Sequence, residues 1–123
     1  MDNKTTIEQL KKELVSFRDE RNWKKFHDPK NLSIALSIES AELQELFLWK
    51  SSEQIKSLLS SEKGTRRVRE ELADIFIYLL YLSEGCGIDL SDALMEKIKI
   101  NKRKYSVNKS YNSSKKYTEF GGD

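Results

Sequence analysis

The stretch EELADIFIYLLYLSEGCG, residues 70–87, decides how this chain folds. Its centre, residues 75–82, is apolar or aromatic at every position and so demands burial on several sides. β-Branched and aromatic residues in such a run suit a strand as well as a helix. The flanks decide for the helix. Val68 and Leu72 extend the apolar pattern backwards at helical spacing, and Gly85 and Gly87 stand where a helix C-terminus favours glycine. A helix over about residues 65–84 is expected.

Working outward, residues 51–63 are polar and serine-rich, and Ile55, Leu58 and Leu59 suggest a short helix inside a connector. Before it, Asp28 is placed to cap and Pro29 to open a helix reaching about residue 50, with Ile34, Ala35, Leu36, Ile38, Leu43, Leu46 and Phe47 making most of its circumference apolar. Near the amino end, Ile7, Leu10, Leu14 and Phe17 recur at spacings of three and four, which predicts a helix over residues 6–21 with one narrow apolar stripe. On the other side, Asp89 and Asp92 open a helix carrying Leu90, Ala93, Leu94 and Ile98. From Ser106 onward Ser, Asn and Lys dominate, so a flexible tail is expected unless a ligand or a neighbouring chain holds it. The reading is an all-α, four-helix domain over residues 1–105 followed by a polar basic tail over 106–123.

Composition narrows the function classes. A chain of 123 residues has room for one ordinary domain. With 22 Lys and Arg against 20 Asp and Glu, its formal net charge of +2 is not that of a strongly basic nucleic-acid binder. The lone Cys86 forms neither an intrachain disulfide nor, by itself, a structural zinc site. No apolar run approaches the roughly 20 residues that span a bilayer, and the first residues lack a signal-type apolar segment. A cytoplasmic setting without membrane or nucleic-acid partners is expected.

Two acidic motifs carry the chemistry: Glu39-x-x-Glu42 on the second long helix and Glu71-x-x-Asp74 on the third. A spacing of three puts both carboxylates of a pair on one helical face. Both pairs border strips that ought to be buried, where clustered carboxylates repel one another and take up protons unless a cation holds them ionised. All-oxygen ligation favours a hard cation such as Mg²⁺. On residue types alone, a solvated helix edge and a cation seat are evenly matched. Glu45 and Glu70 are weaker candidates.

Tyr78 follows Asp74 by four and Trp49 follows Glu42 by seven, so each is expected on its carboxylate's face. Such rings either fill the core, the commoner case, or stack a nucleobase. Trp23 and His27 present the same choice, and His27, as the only histidine, excludes a multi-histidine zinc site. Eight of the basic residues fall in residues 97–116, which hold no acid, leaving 14 bases against 20 acids elsewhere. A basic run is commonly a solvated helix end, and beside an anionic substrate it neutralises phosphates. Asn101, Lys102, Arg103 and Tyr105 are the inward-facing candidates.

Taken together, these motifs resemble the all-α MazG-type nucleoside triphosphate pyrophosphohydrolases, most closely the dCTP pyrophosphatase branch. ERNWKKFHDPKNL, ELQELFLWK, EELADIFIYLL, INKRKY and KKYTEF stand in that branch's order, over roughly residues 14–120. The resemblance implies that Glu39, Glu42, Glu71 and Asp74 ligate Mg²⁺ and that Trp23, His27, Trp49, Tyr78 and Asn101 line the nucleotide pocket. It places Lys102, Arg103 or Tyr105 near the phosphates. It also implies a homodimer or a tetramer built from dimers, and hydrolysis of a nucleoside triphosphate to the monophosphate and pyrophosphate. Glu42 is the candidate general base, lying between the other site positions along its helix. dCTP or a modified dCTP is the expected substrate. The alternatives are dUTP or a broad set of triphosphates, and, from another class, a non-catalytic helical interaction module.

Overall fold

The computed structural model describes residues 1–121. Six α-helices follow one another: α1 (Ile7–Glu20), α2 (Pro29–Glu45), α3 (Ser52–Ser60), α4 (Glu62–Gly85), α5 (Leu90–Lys104) and α6 (Val107–Ser110). Short 3₁₀ turns lie at Lys24–Phe26 and Tyr117–Glu119, and no strand occurs among the described residues. No helix there is long and apolar enough to cross a membrane. The chain divides into two compact units, Met1–Ile88 and Asp89–Asp123.

In the first unit the helix boundaries follow from their caps. Thr6 and Gln9 close a reciprocal capping box on α1, and Asp28 accepts from the Asn31 amide at 2.8 Å with Pro29 in the first turn of α2. Ser61 closes α3 and caps α4 through the Gly64 amide, so no connector separates these two helices. At the far end Gly87 takes φ +66°, and the Ile88 amide returns to the Ser83 carbonyl at 2.9 Å. α4 is the hub, with its most extensive contact against α2 and lesser ones against α3 and α1. The fully enclosed apolar core is small: Leu32, Leu46, Leu80 and Tyr81. The run at 75–82 is therefore buried on one side only within a single chain, since Phe76 and Leu79 remain exposed.

Two expectations are corrected here. α2 stops at Glu45 rather than near residue 50, because the chain turns after it to bury Leu46 and to reach the capping box of Ser51 with Gln54. The apolar spacing through Leu46 and Phe47 mimicked a continuing helix. The segment after Ser106 is also not free coil. Tyr105 packs edge-on against Tyr117 at 6.0 Å and Phe120 at 5.8 Å, and the Lys104 ammonium lies 4.7 Å from the Tyr117 ring centre. This cluster ties the segment to the end of α5 within the second unit, where Asp89 caps α5 through the Asp92 amide. α3 is the short helix read inside the connector, and α6 joins the elements that were expected.

The α3–α4 corner gives a stability test. A Cβ on the buried Gly64 would run into the Leu58 carbonyl oxygen, which belongs to backbone and has little room to move, whereas nothing lies near one on Gly85. Gly64→Ala is expected to cost at least about 2 kcal/mol in urea unfolding, and Gly85→Ala to be neutral or stabilising by about 0.5 kcal/mol. Equal effects at the two positions would contradict the packing described.

Candidate active site

Where α2 lies against α4, Glu39 and Glu42 from one helix and Glu71 from the other bring carboxylate oxygens within 4.8 Å of one another. Glu39 and Glu71 are partly buried, and Glu42 faces solvent. The Oε2 atoms of Glu39 and Glu71 are buried without a hydrogen-bond partner. Like charges at this spacing, with oxygens removed from water, favour the protonated acid. Burial first, then the neighbouring Glu42 and the charge of Asp74, push Glu39 up to about 7. Glu71 is raised as well, by burial and then by Glu42. Orphaned oxygens on an all-oxygen donor set fit a hard divalent cation, which would supply the missing positive charge.

Asp74 stands outside this triad. Three residues along a helix rotate about 300°, so Asp74 is offset from Glu71 by about 60°, and it bears on the cluster through its charge. Glu45 and Glu70 are exposed and take no part in the triad.

One turn beyond Asp74, Tyr78 joins the acids to an apolar recess of ≈ 240 Å³, lined by Leu14, Phe17, Trp23, His27, Ile77, Tyr78 and Tyr81. The Tyr78 hydroxyl is held protonated by burial and by the charges of Glu39, Asp74 and Glu42. Trp23 stands edge-on to Phe17 at 5.9 Å, and the His27 ring meets Tyr81 at 4.7 Å. His27 Nδ1 is buried without a partner, and burial followed by the charge of Arg18 lowers its pKa, so the imidazole is neutral at physiological pH.

Trp23, His27 and Tyr78 thus share one recess, whereas Trp49 does not line it. The helical phase that linked Trp49 to Glu42 ends with α2 at Glu45, and Trp49 sits in the following turn at φ +62°, 92% exposed. That is an unusual backbone region for a bulky side chain. Asn101, Lys102 and Arg103 occupy the last turn of α5, and Tyr105 caps it, with its ring in the aromatic cluster of the second unit. Sequence reading missed Leu14, Phe17, Ile77 and Tyr81 as lining residues. Tyr81 was findable three residues after Tyr78, and Leu14 and Phe17 belonged to a stripe assigned to packing.

The MazG-like family profile matches residues 34–120, more than half of the chain, and the chain belongs to that family. Two curated relatives are called dCTP pyrophosphatase 1. The human protein is 40% identical over 114 residues, spanning 93% of this chain and 67% of its own length. The Bos taurus protein is also 40% identical over 114 residues, spanning 93% and 68%. A crystal structure of a pyrophosphatase from Archaeoglobus fulgidus DSM 4304 superposes with a TM-score of 0.74 at 45% identity, covering 80% of this chain and 91% of that one.

The carboxylate cluster makes stability depend on pH. In cation-free protein, folded Glu39 keeps its proton up to about 7, while an unfolded glutamate ionises near 4.5. The stabilisation from this retained proton is complete below about 4.5 and is lost as pH rises through 7, and Glu71 adds in the same sense. Cation-free protein is expected to melt at a lower temperature at pH 8 than at pH 5.5. A divalent cation that binds there, at a hundredfold excess over its Kd, should restore about 2.7 kcal/mol at pH 8 and much less at pH 5.5, where protons compete. Thermal melts of wild type and Glu39→Gln check this, with a flattened pH dependence expected for the variant.

Proposed function

We propose that this chain is a Mg²⁺-dependent pyrophosphohydrolase that converts dCTP, or a modified dCTP, to dCMP and pyrophosphate. The observation that carries the reading is the meeting of Glu39, Glu42 and Glu71 beside an aromatic recess, on a chain 40% identical to proteins called dCTP pyrophosphatase 1. Catalysis is assigned to residues 1–105.

In this reading Glu39, Glu42 and Glu71, with Asp74 beside them, hold the cation. Mg²⁺ supplies charge neutralisation at the phosphates and a more acidic water. Trp23 and Tyr78 enclose the base, and the neutral His27 offers it a hydrogen-bonding ring nitrogen in apolar surroundings. Glu42, the solvent-facing member of the triad, takes the proton from the water that attacks the α-phosphorus, and pyrophosphate leaves. Asn101 is assigned to the nucleotide pocket, and Lys102, Arg103 or Tyr105 to the phosphates, on residue type and resemblance alone.

The proposal includes self-association as a homodimer or homotetramer. Ile34 and Ile38 on α2 and Leu72, Phe76 and Leu79 on α4 repeat at helical spacing yet are 37–53% exposed. Apolar surface so arranged is ordinarily covered by another chain. Trp49, held outward, is assigned to a neighbouring copy's pocket.

Purified protein with Mg²⁺ and dCTP is expected to release pyrophosphate and dCMP, with dUTP and purine triphosphates turned over more slowly. Glu39→Gln and Glu71→Gln should each lower kcat by roughly a hundredfold or more, as loss of several kcal/mol of electrostatic stabilisation implies. Orthophosphate as the only product, or turnover indifferent to both changes, would sink the mechanism. A panel in which dUTP or all triphosphates turn over equally would keep the chemistry and replace the substrate.

A further inference from the structure

Arg18 enters the proposed chemistry only through its charge on His27, yet it is the most deeply buried charged side chain among the described residues, only 3% exposed. Its guanidinium donates from Nη1 to Glu84 Oε2 at 3.0 Å, across to α4, and from Nε to Asp19 Oδ1 at 2.9 Å. One turn earlier on α1, the Leu14 carbonyl accepts from the Tyr81 hydroxyl at 2.7 Å. Two polar bolts a helical turn apart therefore fix both the rotation and the height of α1 on α4.

The backbone of Arg18 continues the same linkage. Its carbonyl accepts from the amides of Arg21 at 3.2 Å and Trp23 at 3.1 Å. It thereby closes the tight exit from α1 in which Asn22 takes φ +53°. Trp23 is thus hung directly from Arg18, and the 3₁₀ turn that follows delivers His27 onto Tyr81. A leucine or methionine would fill the space of Arg18 without the cost of burying a charge, so packing alone does not account for the ion pair. What a forked, two-partner guanidinium adds is direction.

We infer that Arg18 is a positioning residue, whose ion pair with Glu84 sets the Trp23–His27 wall in register with Tyr78 across the recess. The inference rests on the proposed nucleotide pocket, because only a ligand in that recess would sense the register. Binding should suffer more than chemistry, since the carboxylate triad lies on α2 and α4 and includes no residue of α1.

The test is steady-state kinetics on the full chain with Mg²⁺ and dCTP, with urea unfolding run alongside. Arg18→Met and Glu84→Gln are expected to raise KM roughly tenfold while kcat stays within about twofold, a loss of uniform binding. The double variant should be no worse than either single one, because both changes remove the same interaction. Arg18→Lys and Glu84→Asp, which keep the charges, should fall between these and wild type. Should Arg18→Met fail to fold, Glu84→Gln carries the test, its carboxylate being partly exposed. Trp23→Ala separates the two claims. If it raises KM while folded Arg18→Met and Glu84→Gln leave KM unchanged, the clamp is overturned and the pocket stands. If Trp23→Ala leaves KM unchanged, the pocket reading falls and the clamp falls with it.

Discussion

Two helices that bring negative charge to the same seam nevertheless pack face to face, and that tension organises the molecule. α2 and α4 form the largest contact of the first unit, yet Glu39, Glu42 and Glu71 crowd within 4.8 Å along it. Without a cation, burial and then that crowding favour the protonated acid and drive Glu39 up to about 7. The apolar residues holding the seam closed are few, with Leu32, Leu46, Leu80 and Tyr81 as the enclosed core. At roughly 1.5–3 kcal/mol for each buried side chain, such a core has little margin to hold an unneutralised acidic cluster. On the proposed reading, cation binding and closure of the seam would be two aspects of one equilibrium.

How much of this was legible in the sequence depended on how local the determinant was. Thr6, Asp28-Pro29, Asp89 and Gly87 act within a turn of themselves, and the helix ends they mark lie where they were read. The end of α2 was misread because Leu46 and Phe47 keep helical spacing while the chain already turns to bury Leu46, a tertiary demand that periodicity does not encode. The tail was misread for a related reason. Tyr117 and Phe120 are diluted among Ser, Asn and Lys, and only their meeting with Tyr105 gives them a structural role.

The same division runs through the site. Paired carboxylates at a spacing of three announced two acidic faces, and the bordering apolar residues announced that the faces would be buried. Which three acids converge is a matter of interhelical rotation. Glu71 projects into the seam, whereas Asp74, about 60° around the helix, acts on it through charge. Trp49 shows the opposite failure. Its spacing from Glu42 was a sound helical inference, voided by the helix ending four residues before it.

The recess beside the acids has an energetic asymmetry that bears on selectivity. An unpaired imidazole nitrogen in apolar surroundings costs about 1–3 kcal/mol, and His27 Nδ1 is such an atom. A ligand that supplies a matching polar edge recovers that cost, while an isostere lacking the edge leaves it standing. Because burial and then Arg18 oppose protonation, the ring favours its neutral form, with one donor and one acceptor. Recognition in the recess and charge in the triad are thereby set by separate groups. Tyr78 spans both, lining the recess while sensing Glu39, Asp74 and Glu42. On the proposed reading, that ring is where the fit of the base is felt by the acids that act on the phosphates.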